Sequence, residues 1–247
     1  MATTVDALAL VGPSLFGPGQ SAEELLHRMD RAAVDVTVVA PARPPEYALP
    51  PANDAVAALQ SAHGDRLAGL VRVDPNRPDA AEEVRRGLEM GLHGVFLHPR
   101  EEVFAINNPR VDAVLEVCAA RPVAVVVAAG YPFVSEALQV AELAARHPDV
   151  PVLMTNGGQL NISGLGQVDA LTALRTCPNV LVATNGVYRQ DFIEGVVRDV
   201  GADRVVFASA GPQFDPSYEV LRVRLAALED ADRAALLGGT ATRLFSL

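Results

Sequence analysis

Short runs rich in Val, Leu, Ile and Ala recur along the whole chain, and each is followed by a segment with helical patterning. VDALALVG gives way to SAEELLHRMDRAAV, VDVTVVAPA to DAVAALQSAHGDRL, and LAGLVRVDP to a helix from Asp79 to Gly91. GVFLHP precedes VDAVLEVCAARP, VAVVVAAG precedes FVSEALQVAELAARHP, and VPVLMTNGG precedes DALTALRTCP. NVLVATNG with DFIEGVVRDVGADR, then VVFASAG with helices from Pro216 to Glu229 and from Asp230 to Phe245, complete the series. The apolar runs are continuous rather than alternating, which fits parallel strands buried on both faces. Eight strand–helix units, spaced roughly 25 to 35 residues apart, predict an α/β fold: a single (β/α)8 TIM barrel over residues 1–247. A doubly wound open sheet is the alternative, but no G-x-G-x-x-G follows the first strand.

Local signals support the same division. Ser21 and Glu24 have the spacing of a capping box that starts the first helix, and Asn53 is expected to cap the second. The Pro-rich RPPEYALPP reads as a loop between them.

Composition narrows the function classes. A formal charge of −10 and a pI near 4.9 argue against nucleic acid, whose binding needs a basic stripe to displace counterions. All 20 basic residues are arginine, so Schiff-base lysines, phosphate-loop lysines and carbamylated-lysine metal bridges are excluded. The longest apolar runs fall short of the about 20 residues a membrane helix needs. No secretory signal is evident at the N-terminus, and Cys118 and Cys177 read as reduced core residues, so the expected setting is cytoplasmic. Arginine-only basicity with abundant Ala, Val and Gly points to a GC-rich bacterial genome.

In a barrel of this kind chemistry sits at the C-terminal ends of the strands. His98 there can act as an acid or base, or can cap loop backbone beside Pro99. Arg100 and Arg43 can grip a carboxylate in bidentate fashion, or be solvated loop arginines. Tyr131, Asn156, Asn185, Gln159 and Ser209 can hydrogen-bond a small ligand, and the two asparagines, each before a glycine, can instead serve turn geometry. Asp74 reads as a turn cap before Pro75. The A-S-A-G around Ser209 is not a nucleophile elbow, and the G-x-G at Gly164–Gly166 is too weak to mark a phosphate loop.

SAEELLHRMDRAAVDVTVVAP, NDAVAALQSAHGDRLAGLVRVDP, GLHGVFLHP, VLMTNGG and VVFASAGP with LLGGTATRLF resemble amidohydrolase-related proteins, in order and over nearly the whole chain. More narrowly, they resemble the aminocarboxymuconate-semialdehyde decarboxylase-like group of metal-dependent hydrolases and decarboxylases. The resemblance implies a metal held by a His-x-His at the end of the first strand, a His on each of the fifth and sixth, and an Asp on the eighth. At those positions this chain carries Leu8 and Leu10, Ala128, Thr155 and Ala210, and Phe96 stands where some members have a lysine. Zinc sites use imidazole, thiolate or carboxylate donors, which leucine and alanine lack. The expectation is therefore no metal and no cofactor. It is also that the chain is a pseudoenzyme, a non-catalytic partner or regulatory subunit of an active paralogue or pathway enzyme, assembling with that paralogue or as a homo-oligomer. The alternative is a metal-independent lyase, decarboxylase or hydrolase acting on a small organic acid or natural-product intermediate, with His98 as acid/base and Arg100 or Asn156 placing the substrate. A small-molecule binding protein is a third reading.

Overall fold

The structure, a computed structural model, describes residues 3–160 and 164–247. Its first half runs β1 (Val5–Val11), α1 (Ala22–Ala32), β2 (Val36–Pro41), α2 (Leu49–Ala62), β3 (Leu67–Gly69), β4 (Val71–Arg72), α3 (Ala80–Glu89) and β5 (Gly94–Leu97). There follow α4 (Asp112–Ala120), β6 (Ala124–Val127), α5 (Ala137–Arg146), β7 (Val152–Met154), α6 (Gly164–Thr176) and β8 (Val180–Ala183). The chain ends with α7 (Gln190–Val200), β9 (Val205–Val206), α8 (Pro216–Leu225), α9 (Asp230–Ala234) and α10 (Thr240–Phe245). A π-helical stretch, Ala235–Gly239, links the last two.

Every strand pairing is parallel, in the orders β1-β2-β3 and β4-β5-β6-β7-β8-β9. Hydrogen bonds join the two groups into one ring. On one side Leu70 N–H donates to Val39 O at 2.8 Å, so β3 and β4 are halves of a single barrel strand. On the other, Ala7 N–H reaches Phe207 O at 3.0 Å and Ala210 N–H reaches Leu8 O at 2.8 Å. The fold is the TIM barrel that the strand–helix alternation predicts.

Two apolar layers hold it. Leu8, Val38, Leu70, Phe96, Val126 and Leu153 pack together inside the barrel. Val39, Val95, Val125 and Val127 face outward onto Leu25, Met29, Val84, Leu115 and Leu143 of the helices. Strands that must satisfy both layers have no polar face, which explains their unbroken hydrophobic sequence. Ala241 and Phe245 of α10 join the inner layer, and the Phe245 carbonyl meets His93 Nδ1 at 2.9 Å just before β5. The C-terminal helix thereby plugs the N-terminal end of the barrel and leaves the opposite end to the loops.

Ser21 and Glu24 form the capping box expected of them. Asn53 does not cap α2. The helix begins four residues earlier at Leu49, with prolines in its first turn, where a missing N–H leaves no bond unmade. Asn53 is instead fully buried: its Nδ2 donates to Arg72 O at 3.0 Å and its Oδ1 accepts from Arg72 N–H at 2.9 Å. Its amide thus serves both backbone groups of Arg72 at the end of β4. Gly164 and Gly166, the G-x-G too weak to mark a phosphate loop, lie in the first turn of α6.

Candidate active site

At the C-terminal end of the barrel, loops following β1, β5, β6 and β9 enclose a cavity of about 300 Å³. Leu10 and Ala210 line it from the strand ends, and Ser14, His98, Arg100, Glu101, Tyr131 and Gln213 supply its polar groups. Phe16, with Gly17 and Pro18, covers one side.

His98 follows β5 directly and is wedged between two rings, edge-on to Phe96 with centroids 5.9 Å apart and tilted against Tyr131 at 5.5 Å. Its Nδ1 accepts from Glu101 N–H at 3.3 Å, which leaves the proton on Nε2, 3.4 Å from Glu101 Oε1. Burial, reinforced by the charges of Arg72 and Arg100, pushes its pKa down to about 3. The imidazole is therefore neutral at physiological pH and offers the site a hydrogen bond rather than a transferable proton. Arg100 is exposed, and its guanidinium lies 5.3 Å from the centroid of the Tyr131 ring. It forms no ion pair with a carboxylate among the described residues. Burial raises the Tyr131 phenol above its ordinary range, so its hydroxyl stays protonated.

Beneath this cavity lies a charged cluster. Arg72 ends β4, is fully buried, and pairs in register with Phe96, whose ring centroid is 5.3 Å from its guanidinium. Arg72 Nη2 donates to Glu101 Oε2 at 2.5 Å and to Glu102 Oε1 at 2.7 Å, and Nη1 donates to Pro41 O at 3.1 Å. Arg43, after β2, adds a bond from Nη1 to Glu102 Oε1 at 3.0 Å. Two guanidinium groups and two carboxylates balance in charge, as burial of ions requires. Arg43 is thus spent inside the protein, while Arg100 faces the cavity.

The other residues singled out in the sequence lie elsewhere. Asn156 and Asn185 are buried and bonded to each other, Asn185 Nδ2 donating to Asn156 Oδ1 at 2.8 Å. Asn156 Nδ2 also donates to Ala129 O at 3.0 Å. The Ser209 hydroxyl donates to Asp6 Oδ2 at 2.5 Å, and its N–H to Asp6 Oδ1 at 2.8 Å. None of the three lines the cavity. Asp74 Oδ1 accepts from Asn76 N–H at 3.0 Å, as a turn cap does. Cys118 and Cys177 are buried and free.

Sequence reading passed over Arg72, Glu101, Glu102 and Asp6. A signal was present for two of them. Arg72 and Asp6 are charged residues in otherwise apolar strand runs, where a charge is retained only with a partner.

Leu8, Ala128 and Ala210 belong to the inner layer, with Leu10 packed against it. Thr155 is buried, and its Oγ1 accepts from Ala129 N–H at 3.1 Å and from Asn156 Nδ2 at 3.0 Å. The described residues contain no group of three or more His, Cys, Asp or Glu placed to hold a metal ion. Four aliphatic side chains and one engaged hydroxyl do not supply the donors that a divalent cation takes.

The sequence pattern of the amidohydrolase family matches residues 12–247. The chain belongs to the amidohydrolase family. Among curated protein sequences none matches it. Solved structures superimpose over its full length. The 5-carboxyvanillate decarboxylase of Sphingomonas paucimobilis does so with a TM-score of 0.80 and 17% identity, covering 100% of both chains. A 2,6-dihydroxybenzoate decarboxylase complexed with 2,6-dihydroxybenzoate gives 0.79 at 17% identity, also with 100% of both chains covered. A dihydroxybenzoic acid decarboxylase from Polaromonas sp. JS666, with bound manganese and 2-nitroresorcinol, gives 0.78 at 15% identity over 100% of this chain and 98% of its own. These neighbours correct the expectation of a non-catalytic pseudoenzyme. These three barrels, which match this one end to end, are named as decarboxylases of aromatic acids, and an enzyme is the reading they favour.

Proposed function

We propose that this amidohydrolase-family protein is a lyase that decarboxylates a small hydroxylated organic acid with a single ring, and that it does so without a metal. The observation that carries the reading is Arg100. Its guanidinium borders a cavity of single-ring size and has no carboxylate of its own among the described residues. A carboxylate entering the cavity would pair with it, the ring stacking near Tyr131, while His98 and Glu101 face the bound acid from below. The neutral His98 supplies a hydrogen bond, and Leu10, Phe16 and Ala210 provide the apolar contact that a ring requires. The aromatic acids named for the fold neighbours support the same substrate class.

The test is carbon dioxide release from a panel of mono- and dihydroxybenzoates by protein treated with a chelator. Turnover should survive chelation, and Arg100→Leu should weaken binding of the acid by about tenfold or more through loss of a charge-assisted bond. Turnover that vanishes on chelation and returns with manganese refutes the metal-free part. No release from any member, with no measurable binding, refutes the whole.

A further inference from the structure

The two sides of the cavity carry different kinds of polar group. With β3 and β4 counted as one strand, β5 and β6 are the fourth and fifth of the ring, and they stand opposite β9 and β1, the eighth and first. His98, Arg100, Glu101 and Tyr131 therefore form one wall, and Ser14, Phe16, Pro212 and Gln213 form the wall that faces it. On the first wall Glu101 is committed. Its Oε2 accepts from Arg72 Nη2 at 2.5 Å, and its Oε1 lies 3.4 Å from His98 Nε2. Arg100 is the charge left there for a ligand.

The facing wall has no charged residue. Ser14 is half-buried and Gln213 exposed at the rim, and neither the Ser14 hydroxyl nor the Gln213 amide makes a hydrogen bond among the described residues. Their backbone is nevertheless tied down. Leu10 N–H donates to Gly211 O at 2.6 Å, Gln213 N–H to Ala210 O at 3.1 Å, and Leu15 N–H to Arg43 O at 2.8 Å. Two neutral hydrogen-bonding groups are thus held across the cavity from one cation.

We infer that this wall selects the substrate by its far end. Ser14 and Gln213 hydrogen-bond a hydroxyl para to the carboxylate that Arg100 holds, so the preferred acid is a 4-hydroxylated benzoate rather than one hydroxylated beside its carboxylate. The inference rests on the reading of Arg100 above and adds where the hydroxyl sits. A phenol hydroxyl both donates and accepts, and an amide and a serine hydroxyl together can answer both needs. Phe16, on the same loop as Ser14, supplies an apolar surface for the ring between them. A hydroxyl beside the carboxylate would lie at the first wall instead, where Glu101 already serves Arg72. The para position is also conjugated with the carbon that bears the carboxylate, so the group selected for binding is one that feeds electrons to that carbon.

Calorimetry with benzoate, 2-hydroxybenzoate and 4-hydroxybenzoate at neutral pH, where all three are ionised, reads the selection without turnover. 4-Hydroxybenzoate should bind about fivefold or more tighter than benzoate, the worth of one neutral hydrogen bond, and 2-hydroxybenzoate no tighter than benzoate. Ser14→Ala combined with Gln213→Leu should bring the ratio of 4-hydroxybenzoate to benzoate affinity down to about one. Both side chains lie outside the packed layers, and the melting temperature of the double variant checks its fold. Arg100→Leu should weaken both acids and keep the ratio. The inference is overturned if the wild-type ratio is about one, if 2-hydroxybenzoate binds tightest, or if the double variant keeps the preference. If no acid binds, the reading of Arg100 fails, and phenol, which has no carboxylate, tests the far wall alone. Weaker binding of phenol to the double variant upholds the hydroxyl site, and equal binding overturns it.

Discussion

Asp6 lies on β1, 2% exposed, with its carboxylate turned away from the barrel interior toward Ser209. Its Oδ1 accepts from Ser209 N–H at 2.8 Å and Leu8 N–H at 3.2 Å, and Oδ2 accepts from the Ser209 hydroxyl. No cation pairs with it among the described residues, and the charge of the nearby Glu219 on α8 opposes ionisation. Burial outweighs the hydrogen bonds and raises its pKa from 3.8 to about 7. The folded protein therefore keeps a proton that the unfolded chain has already released. Stability from this group is greatest below 3.8, declines as the pH rises toward about 7, and is level above that. The interval spans about 3 pH units at about 1.4 kcal/mol each, so ionised Asp6 costs the fold about 4 kcal/mol at alkaline pH. Asp6→Asn cannot ionise and keeps Oδ1 for both backbone donors, but the Ser209 hydroxyl loses its acceptor at a cost of about 1 kcal/mol. The variant should be about 1 kcal/mol less stable than wild type below pH ~4 and about 3 kcal/mol more stable above pH ~8, with the curves crossing between. Urea unfolding of both proteins across the pH range measures the difference directly, and the titrations of all other groups cancel. An Asp6→Asn variant that is less stable at every pH would show that the carboxylate is ionised and needed in the fold, and the reasoning would fail.

Three further outcomes are expected. Gly87 on α3 leaves no room for a side chain, since an added Cβ would lie 2.7 Å from Val71 Cβ; Gly87→Ala should cost about 2 kcal/mol, read as a lower urea midpoint with an unchanged slope. Burial pushes the Cys118 thiol up to about 12, so Cys118 should resist alkylation at neutral pH in the folded protein and react once it is unfolded, as mass spectrometry will show; rapid labelling of the native state would contradict its placement. Installing Leu8→His, Leu10→His, Ala128→His and Ala210→Asp together should give weak zinc binding by calorimetry and a lower melting temperature without zinc, because new polar groups would enter an apolar layer with nothing to orient them; brisk metal-dependent turnover would show that only the ligands are missing.

The barrel was legible in the sequence because its determinants are local. Continuous apolar runs such as VAVVVAAG announce strands buried on both faces, and the Ser21–Glu24 spacing announces a helix start, whatever lies elsewhere in the chain. Strand-end position likewise singled out His98, Arg100 and Tyr131, the residues that line the cavity. The same local reasoning went astray where a partner is distant. Asn53 looks like a cap in isolation, yet it serves the backbone of Arg72, 19 residues on. Asn156 and Asn185 look like pocket residues, yet they satisfy each other. Arg72 finds Glu102 across 30 residues, Arg43 finds it across 59, and Asp6 meets Ser209 across 203, where the last strand closes on the first. Hydrophobic periodicity states which residues must be buried, whereas the protonation and pairing of a buried charge depend on which groups the closed ring brings within a few ångströms of it. Only the tertiary structure sets those distances, and they decide that Arg43 is spent inside, that Arg100 borders the cavity beside Tyr131, and that Glu101 is the carboxylate that reaches the cavity.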